Sequence, residues 1–543
     1  MDAATSPADV RSRRSALALL LALAAGALFR VLQYGVGRSL WLDEALLSLN
    51  VTGRGAADLL TRPLDYGQTA PPGFLLLQKL GTAALGTGEY ALRLVPLLAG
   101  LAALFWLPTL ARRYVSPAAV PWAAGLFALA PFLVYYASEA KPYALDVLAA
   151  VAVLATVARL RDAPDARGYV LAAVAGALAV WVSQPAVFVL AGVGVVLLVE
   201  SMRAGDRART VRMAAVCAAW AAAWIPAFLL ARGGLADAAY MRAFWQAGFP
   251  DGIAWWPRMI ARVFREPFGV FGEDPTPLSA VAQAAALAAF ALGTWRMARG
   301  GRASELALLT APAGMALVAA VARQYPFGAD YTSSGRVLLF LLPSLVLVAA
   351  EGVAAAGEAL RGTAGMLAAG ALGAAMLAPG LVYAVAQVPH LRAEVKPVLA
   401  YAAENRQPGD VLYVHYAGRA PFRYYADRYG WTPANSVVGR CAREDPRGYL
   451  PQLQALDGRR VWMLFIDDRA TSTHDDRGLM TAFLDHLGRR VDDQVSVGAA
   501  VYLYDLRMPP AAAGPFSAQL PTRRGDASLA CRGPWQNDAG SAG

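Results

Sequence analysis

Apolar runs of roughly twenty residues recur along the chain, and this pattern predicts a polytopic α-helical membrane protein. A hydrocarbon core of about 30 Å takes about 20 apolar residues to cross as helix. Eleven runs approach that length: 15–33, 89–111, 118–136, 143–157, 168–182, 186–199, 211–230, 278–295, 306–321, 337–350 and 364–385. The first follows Arg11, Arg13 and Arg14 and looks like a signal peptide. So many spans come after it that it reads as an uncleaved first helix. Near residue 388 the pattern changes, and charges, His and polar residues become frequent.

Arginine sets the expected orientation. Arg112/Arg113, Arg159/Arg161/Arg167, Arg203/Arg207/Arg209/Arg212, Arg296/Arg299/Arg302 and Arg361 fall at every second junction, on the side of the N-terminal arginines. The positive-inside rule makes that side cytoplasmic, and an odd number of spans sends the C-terminal region out. The expected location is the inner (plasma) membrane, with the N-terminus cytoplasmic and the C-terminal domain extracytoplasmic. Two outside loops are long, about 34–88 and 232–277, and both are rich in aromatics. Within the first, LWLDEALLSLN and PGFLLLQKL read as short interfacial helices.

Three regions follow: a transmembrane domain at 1–388, a small α/β domain at 389–508 and a disordered Pro/Gly/Ala-rich tail at 509–543. In the second region a helix near 392–405 precedes the strand VLYVHY. A helix near 421–428, the strand VWMLFI, a helix near 479–487 and the strand VYLYDL come next. Such alternation favours a partly parallel sheet.

Composition agrees, with 57% hydrophobic and only 16% charged residues. The net charge of +10 reads as a topology signal and not as a nucleic-acid surface. Lysine occurs only at Lys79, Lys141 and Lys396. His390, His415, His474 and His486 all follow the membrane half, which excludes a histidine-based zinc site within it. Cys217 sits in an apolar run as a small core residue. Cys441 and Cys531 form a disulfide candidate if their region is extracytoplasmic, and two free thiols are the other reading.

The candidate chemistry lies at the outside junctions. Asp43 and Glu44 follow the first span; Asp43 reads as a helix N-cap, or as a carboxylate that deprotonates a hydroxyl or holds a metal. Glu139 and Lys141 lie in YYASEAKPYALD. There Glu139, Tyr143 and Asp146 share one face if the helix is continuous. Gln68 and Lys79 flank the apolar helix that Pro71–Pro72 opens, and Lys79 suits a lipid phosphate. Arg336 suits a phosphodiester bidentately, or snorkels to headgroups. Arg242, Arg258, Arg262 and Arg265 cluster beside Trp245, Trp255 and Trp256, as a lipid-phosphate or sugar site or an ordinary interfacial helix. Asp467 and Asp468 follow a strand and read as a solvated loop. No Walker loop, HExxH, GxSxG or dinucleotide fingerprint is present.

In order and topological side, WLDEALLSLN, QTAPPGFLLLQKL, EYALRLVPLLAG, YYASEAKPYALD and YPFGADYTSSGRVLLFLLP resemble one known group. They are similar to the GT-C fold polytopic glycosyltransferases, especially the bacterial protein O-mannosyltransferase and aminoarabinose-transferase branch, over roughly 15–390. The resemblance implies transfer of a sugar from a polyprenyl-phosphate carrier to a protein, lipid or glycan acceptor outside the cytoplasm, usually with inversion. It implies that Asp43 is the acid of the first outside loop, with Glu44 as its companion, and that Glu139 is the second acidic position. Lys141 stands where the family often has arginine, and Gln184 where many relatives have histidine. Lys79, Lys141, Arg262 and Arg336 are the expected donor-phosphate ligands, and Gln68, Tyr143 and Asp146 the expected substrate contacts. Metal dependence differs among GT-C enzymes, so a divalent metal is an open option. The other readings are a transporter or flippase of lipid-linked glycans, a catalytically silent relative, and a glycan polymerase or ligase.

Overall fold

The computed structural model describes residues 7–232, 238–269, 276–328, 334–360, 362–442, 445–466, 475–511 and 516. The chain forms two compact units. The first comprises Met1–Val36, Ala70–Arg232 and Trp245–His390; the second comprises Gly37–Thr69, Gly233–Phe244 and Leu391–Gly543. The stretch between the first two expected spans is therefore divided, and its first part groups with the C-terminal region.

The first unit is helical. Among the described residues nine helices are long and apolar enough to cross a membrane. They are Ser15–Gly35, Glu89–Tyr114, Tyr143–Asp162, Ala186–Arg203, Arg207–Ala231, Pro277–Arg299, Ala303–Val321, Gly335–Ala359 and Gly362–Gln387. Each overlaps one expected run. The two remaining runs give shorter apolar helices, so length and composition carry nine spans of the expected eleven. One of these, Ala166–Val182, has 17 residues.

The other, the run at 118–136, is broken into Val120–Leu129 and Pro131–Tyr136. Pro131 has no N–H for the helical ladder, and a residue before proline avoids helical ψ; Ala130 has φ −57° and ψ 118°. The break frees carbonyls that an apolar slab cannot hydrate. Arg30, itself fully buried, supplies the missing donors. Its Nη1 donates to Ala128 O at 2.9 Å and to Gly26 O at 2.9 Å, and its Nη2 donates to Phe127 O at 3.3 Å.

A second polar set ties helix ends. Glu351 is fully buried, receives Arg296 Nε at 2.8 Å and the Ser116 N–H at 2.7 Å, and pairs with Arg302. Arg161 meets Glu305 at 3.1 Å. Arginines that read as a topology signal thus also act as packing residues.

Among the described residues of the second unit, five strands form one sheet: β1 Val411–Val414, β2 Ser436–Val438, β3 Arg460–Ile466, β4 Arg489–Ser496 and β5 Ala499–Asp505. Their order is β2-β1-β3-β5-β4. β1 is parallel to β2 and β3, while β5 is antiparallel to β3 and β4. The expected partly parallel sheet is present, with two strands beyond those read from the sequence. β1 and β5 are buried at every position. The helices Val395–Asn405, Arg419–Tyr425 and Asp476–Leu487 complete the α/β layer. Leu42–Gly53 and Ala56–Thr61 are the short helices of the first loop in this unit. Asp467, Asp468 and nearly all of the tail from 509 lie outside the described residues.

The tightest helix contact in the first unit joins Pro277–Arg299 to Leu342–Ala359. A Cβ on Gly352 would lie 1.7 Å from Ala289 O, and one on Gly293 would lie 1.9 Å from Val348 O. Small residues there let two backbones touch. Gly352→Ala should therefore destabilise the protein by about 1–3 kcal/mol. The check is thermal unfolding in detergent, where a wild-type melting temperature would count against this contact.

Candidate active site

The second unit carries the adjacent acids. Asp43 and Glu44 lie in the first turn of Leu42–Gly53, where the helix dipole favours negative charge. The N-cap is Trp41, and no side chain caps the helix, so Asp43 is not the cap. Consecutive helical residues point about 100° apart. Glu44 is accordingly fully buried, whereas Asp43 is half-buried. Arg38, also buried, places Nη2 3.9 Å from Glu44 Oε1. Asn50 closes the loop below: its Nδ2 donates to Leu46 O at 2.9 Å, and its Oδ1 accepts from Asp65 N–H at 2.8 Å. Gln68 is buried just after the Asp65–Gly67 turn, in which Tyr66 has φ 62°.

The first unit gathers the other set. Pro131–Tyr136 ends, residues 137–142 form turns, and a new helix begins at Tyr143. The continuous helix that would align Glu139 with Tyr143 and Asp146 is therefore absent, because Pro142 interrupts the ladder. The turn still holds Glu139 and Lys141 together, both buried, with Lys141 N–H donating to Glu139 O at 2.6 Å. Tyr143 packs edge-on to Tyr136 at 5.0 Å. The Arg336 guanidinium lies 5.9 Å from the Tyr143 ring centroid. Asp146 is buried on the next turn.

Arg336 belongs to the short 3-10 segment Ser334–Leu341, which packs on the Tyr143–Asp162 helix. Tyr325 OH donates to Val337 O at 2.7 Å and so pins that segment. Burial holds the Tyr325 phenol well above its ordinary pKa, and the nearby Asp146 charge adds to the shift. Glu139, Lys141, Tyr143, Asp146 and Arg336 thus occupy one neighbourhood.

Lys79 and Arg262 stand on two other helices of the first unit. Lys79 is half-buried on Pro72–Leu85, a helix opened by Pro72 and closed by Gly86 at φ 83°. Arg262 is half-buried on Trp255–Phe268, a strongly amphipathic helix with Trp255, Met259, Phe264 and Phe268 inside. Gln184 is exposed. Cys217 is a free thiol and Cys441 is disulfide-bonded, while Cys531 lies outside the described residues. Among the described residues, no group of three or more His, Cys, Asp or Glu could hold a metal ion.

Two contributors escape sequence reading. Arg38 stands three residues before Trp41, and no motif around it marks it out. His390 packs edge-on to Tyr135 at 5.5 Å, with its backbone N–H donating to Gln33 Oε1 at 2.7 Å. A contact across 357 residues leaves no local pattern.

Residues 69–229 match the family model for dolichyl-phosphate-mannose-protein mannosyltransferases. No curated protein sequence matches the chain. Among solved structures, ArnT from Cupriavidus metallidurans in the apo state aligns over 91% of this chain and 98% of its own, at 14% identity and TM-score 0.50. The Archaeoglobus fulgidus oligosaccharyltransferase in complex with Zn and sulfate aligns over 89% and 72%, at 14% identity and TM-score 0.52. AglB from the same organism, in complex with an inhibitory peptide and a dolichol-phosphate, aligns over 89% and 74%, at 14% identity and TM-score 0.50. At such identity the likeness is one of fold.

The Arg38–Glu44 pair makes a prediction that separates the two acids. Removing one partner of a buried pair costs about 3–5 kcal/mol, and removing both costs less. Arg38→Met should lower the melting temperature, and adding Glu44→Met should restore part of the loss. A double variant less stable than Arg38→Met alone would show that Glu44 is not held by this pair.

Proposed function

We propose that this chain, whose fold is that of the GT-C membrane glycosyltransferases, transfers a sugar from a polyprenyl-phosphate donor to an acceptor hydroxyl or amine on the extracytoplasmic face. The observation that carries the reading is the fold likeness over 91% of the chain, with a mannosyltransferase family model matching 69–229. The dolichol-phosphate held by AglB supports a lipid-phosphate donor.

The chemistry needs three things from the protein. Asp43 takes the proton as the acceptor attacks the anomeric carbon. The bond from that carbon to the phosphate oxygen breaks, and polyprenyl phosphate leaves with the electron pair. Attack opposite the leaving group inverts the anomeric centre. Arg336 and Lys141 receive the growing phosphate charge, and Glu139 and Asp146 orient them. Glu44 supports Asp43 through its pairing with Arg38.

Purified protein in lipid, offered labelled polyprenyl-phosphate sugars and membrane extract, should move label into an acceptor. Asp43→Asn should lose activity by about 10²-fold or more while staying folded and inserted. Arg336→Ala should lower kcat by about 10²-fold, with Arg336→Lys intermediate. Full activity in Asp43→Asn would remove Asp43 from the mechanism. Movement of the lipid-linked sugar across sealed vesicles without transfer would favour a flippase.

A further inference from the structure

The segment Gly37–Trp41, which leads into the helix bearing Asp43, is held by side chains about 350 residues later in sequence. All belong to the same compact unit. Glu394 accepts from Ser39 N–H at 3.2 Å through both oxygens and from Ser39 Oγ–H at 3.2 Å. Tyr425 OH accepts from Leu40 N–H at 2.8 Å. Lys396, one of three lysines in the chain, donates through Nζ to Gly37 O, and its backbone N–H donates to Ser39 Oγ at 3.1 Å. The Arg392 guanidinium lies 3.3 Å from the Trp41 ring centroid.

These groups are well placed to fix a backbone. Ser39, Leu40 and Tyr425 are almost wholly buried, and Glu394 is 8% exposed. A bond from a backbone N–H to a charged carboxylate is of the stronger kind, and here the Ser39 amide shares its proton between both Glu394 oxygens. The amides of Ser39 and Leu40 lie in extended chain just before the helix, where the ladder offers them no partner. The helix Arg419–Tyr425 packs directly on Leu42–Gly53. The approach to the helix that bears Asp43 is thus set by side chains of the C-terminal domain.

We propose that Glu394, Tyr425 and Lys396 are positioning residues for Asp43, so that transfer requires the folded C-terminal domain. The inference rests on Asp43 being the base of the proposed reaction. A base displaced by about 1 Å loses roughly 10²-fold in rate. A loosened segment should therefore show in kcat, while donor affinity, which other residues supply, should hold.

The experiment uses the full chain in lipid nanodiscs with Glu394→Ala, Glu394→Gln and Tyr425→Phe. Amide hydrogen exchange at Ser39 and Leu40 is read beside kcat and KM for a polyprenyl-phosphate sugar. Glu394→Ala and Tyr425→Phe should speed exchange at these amides and lower kcat about tenfold or more, with donor KM within about twofold. Glu394→Gln keeps an acceptor oxygen for Ser39 and should recover most of the rate. Tyr425→Phe deletes a single oxygen, so its melting temperature should stay near wild type and separate positioning from unfolding. Faster exchange with wild-type kcat would overturn the proposal, as would unchanged exchange. No transfer by wild-type protein would overturn the glycosyltransferase reading instead, and the exchange data would still decide whether the clamp holds the segment.

Discussion

In an apolar slab every backbone N–H and C=O must find its partner within the chain, and the first unit depends on how it meets that demand at one break. The run at 118–136 cannot continue as one helix through Pro131, and the chain does not refill the ladder. It places a buried guanidinium against the freed carbonyls of Phe127 and Ala128. With the break satisfied, Pro131–Tyr136 becomes a separate short helix and residues 137–142 become turns. Glu139 and Lys141 lie in those turns, and Tyr143 starts the helix beyond them. The turns that hold Glu139 and Lys141 thus lie between two prolines, Pro131 and Pro142, with Arg30 satisfying the break at the first. A close backbone approach supports them: a Cβ on Gly100 would meet Ala137 Cβ at 2.8 Å.

Adjacent residues of like charge acquire different roles when a helix separates them. Glu44 faces inward to Arg38, and Asp43 keeps partial access to solvent. A carboxylate that must take a proton from an arriving acceptor needs that access, while one that only holds a buried arginine does not. The same sequence pair thus places one carboxylate against a buried arginine and leaves the other half-buried. No property of the two letters, read alone, distinguishes them.

Local periodicity made the long helices legible, and strand alternation made β1, β3 and β5 legible. β2 has three residues, too few to show a period. β4, reading RRVDDQVS, is an edge strand with mostly exposed and charged positions, which look like loop to any hydrophobic pattern. The break at Pro131 was written in the letters, yet the unbroken hydropathy around it masked the change of backbone. Asp43, Glu139, Lys141 and Arg336 stood out as candidates because charge is costly at a membrane boundary. Their partners did not. Arg38 needs the helix phase of Glu44 before it means anything, and the grip of Glu394 on Ser39 joins positions 355 residues apart.

On the proposed reaction, the charge balance of the first unit argues for where its cations act. Lys141 and Arg336 are buried in the neighbourhood of the acidic residues Glu139 and Asp146. Burying cations beside carboxyl groups is less costly than burying them alone. A phosphodiester donor brings one negative charge, and the departing polyprenyl phosphate carries about two near neutral pH. The extra charge appears only as the bond to the sugar breaks. Cations already poised in a poorly hydrated site gain most from that new charge, so their interaction is stronger in the transition state than with the bound donor. The planar Arg336 guanidinium, 5.9 Å from the Tyr143 ring centroid, offers N–H donors in a fixed fork, suited to two phosphate oxygens at once. Lys141 offers a point charge without that directionality. The two cations then act differently on one group, Arg336 orienting the leaving phosphate and Lys141 adding to the local field.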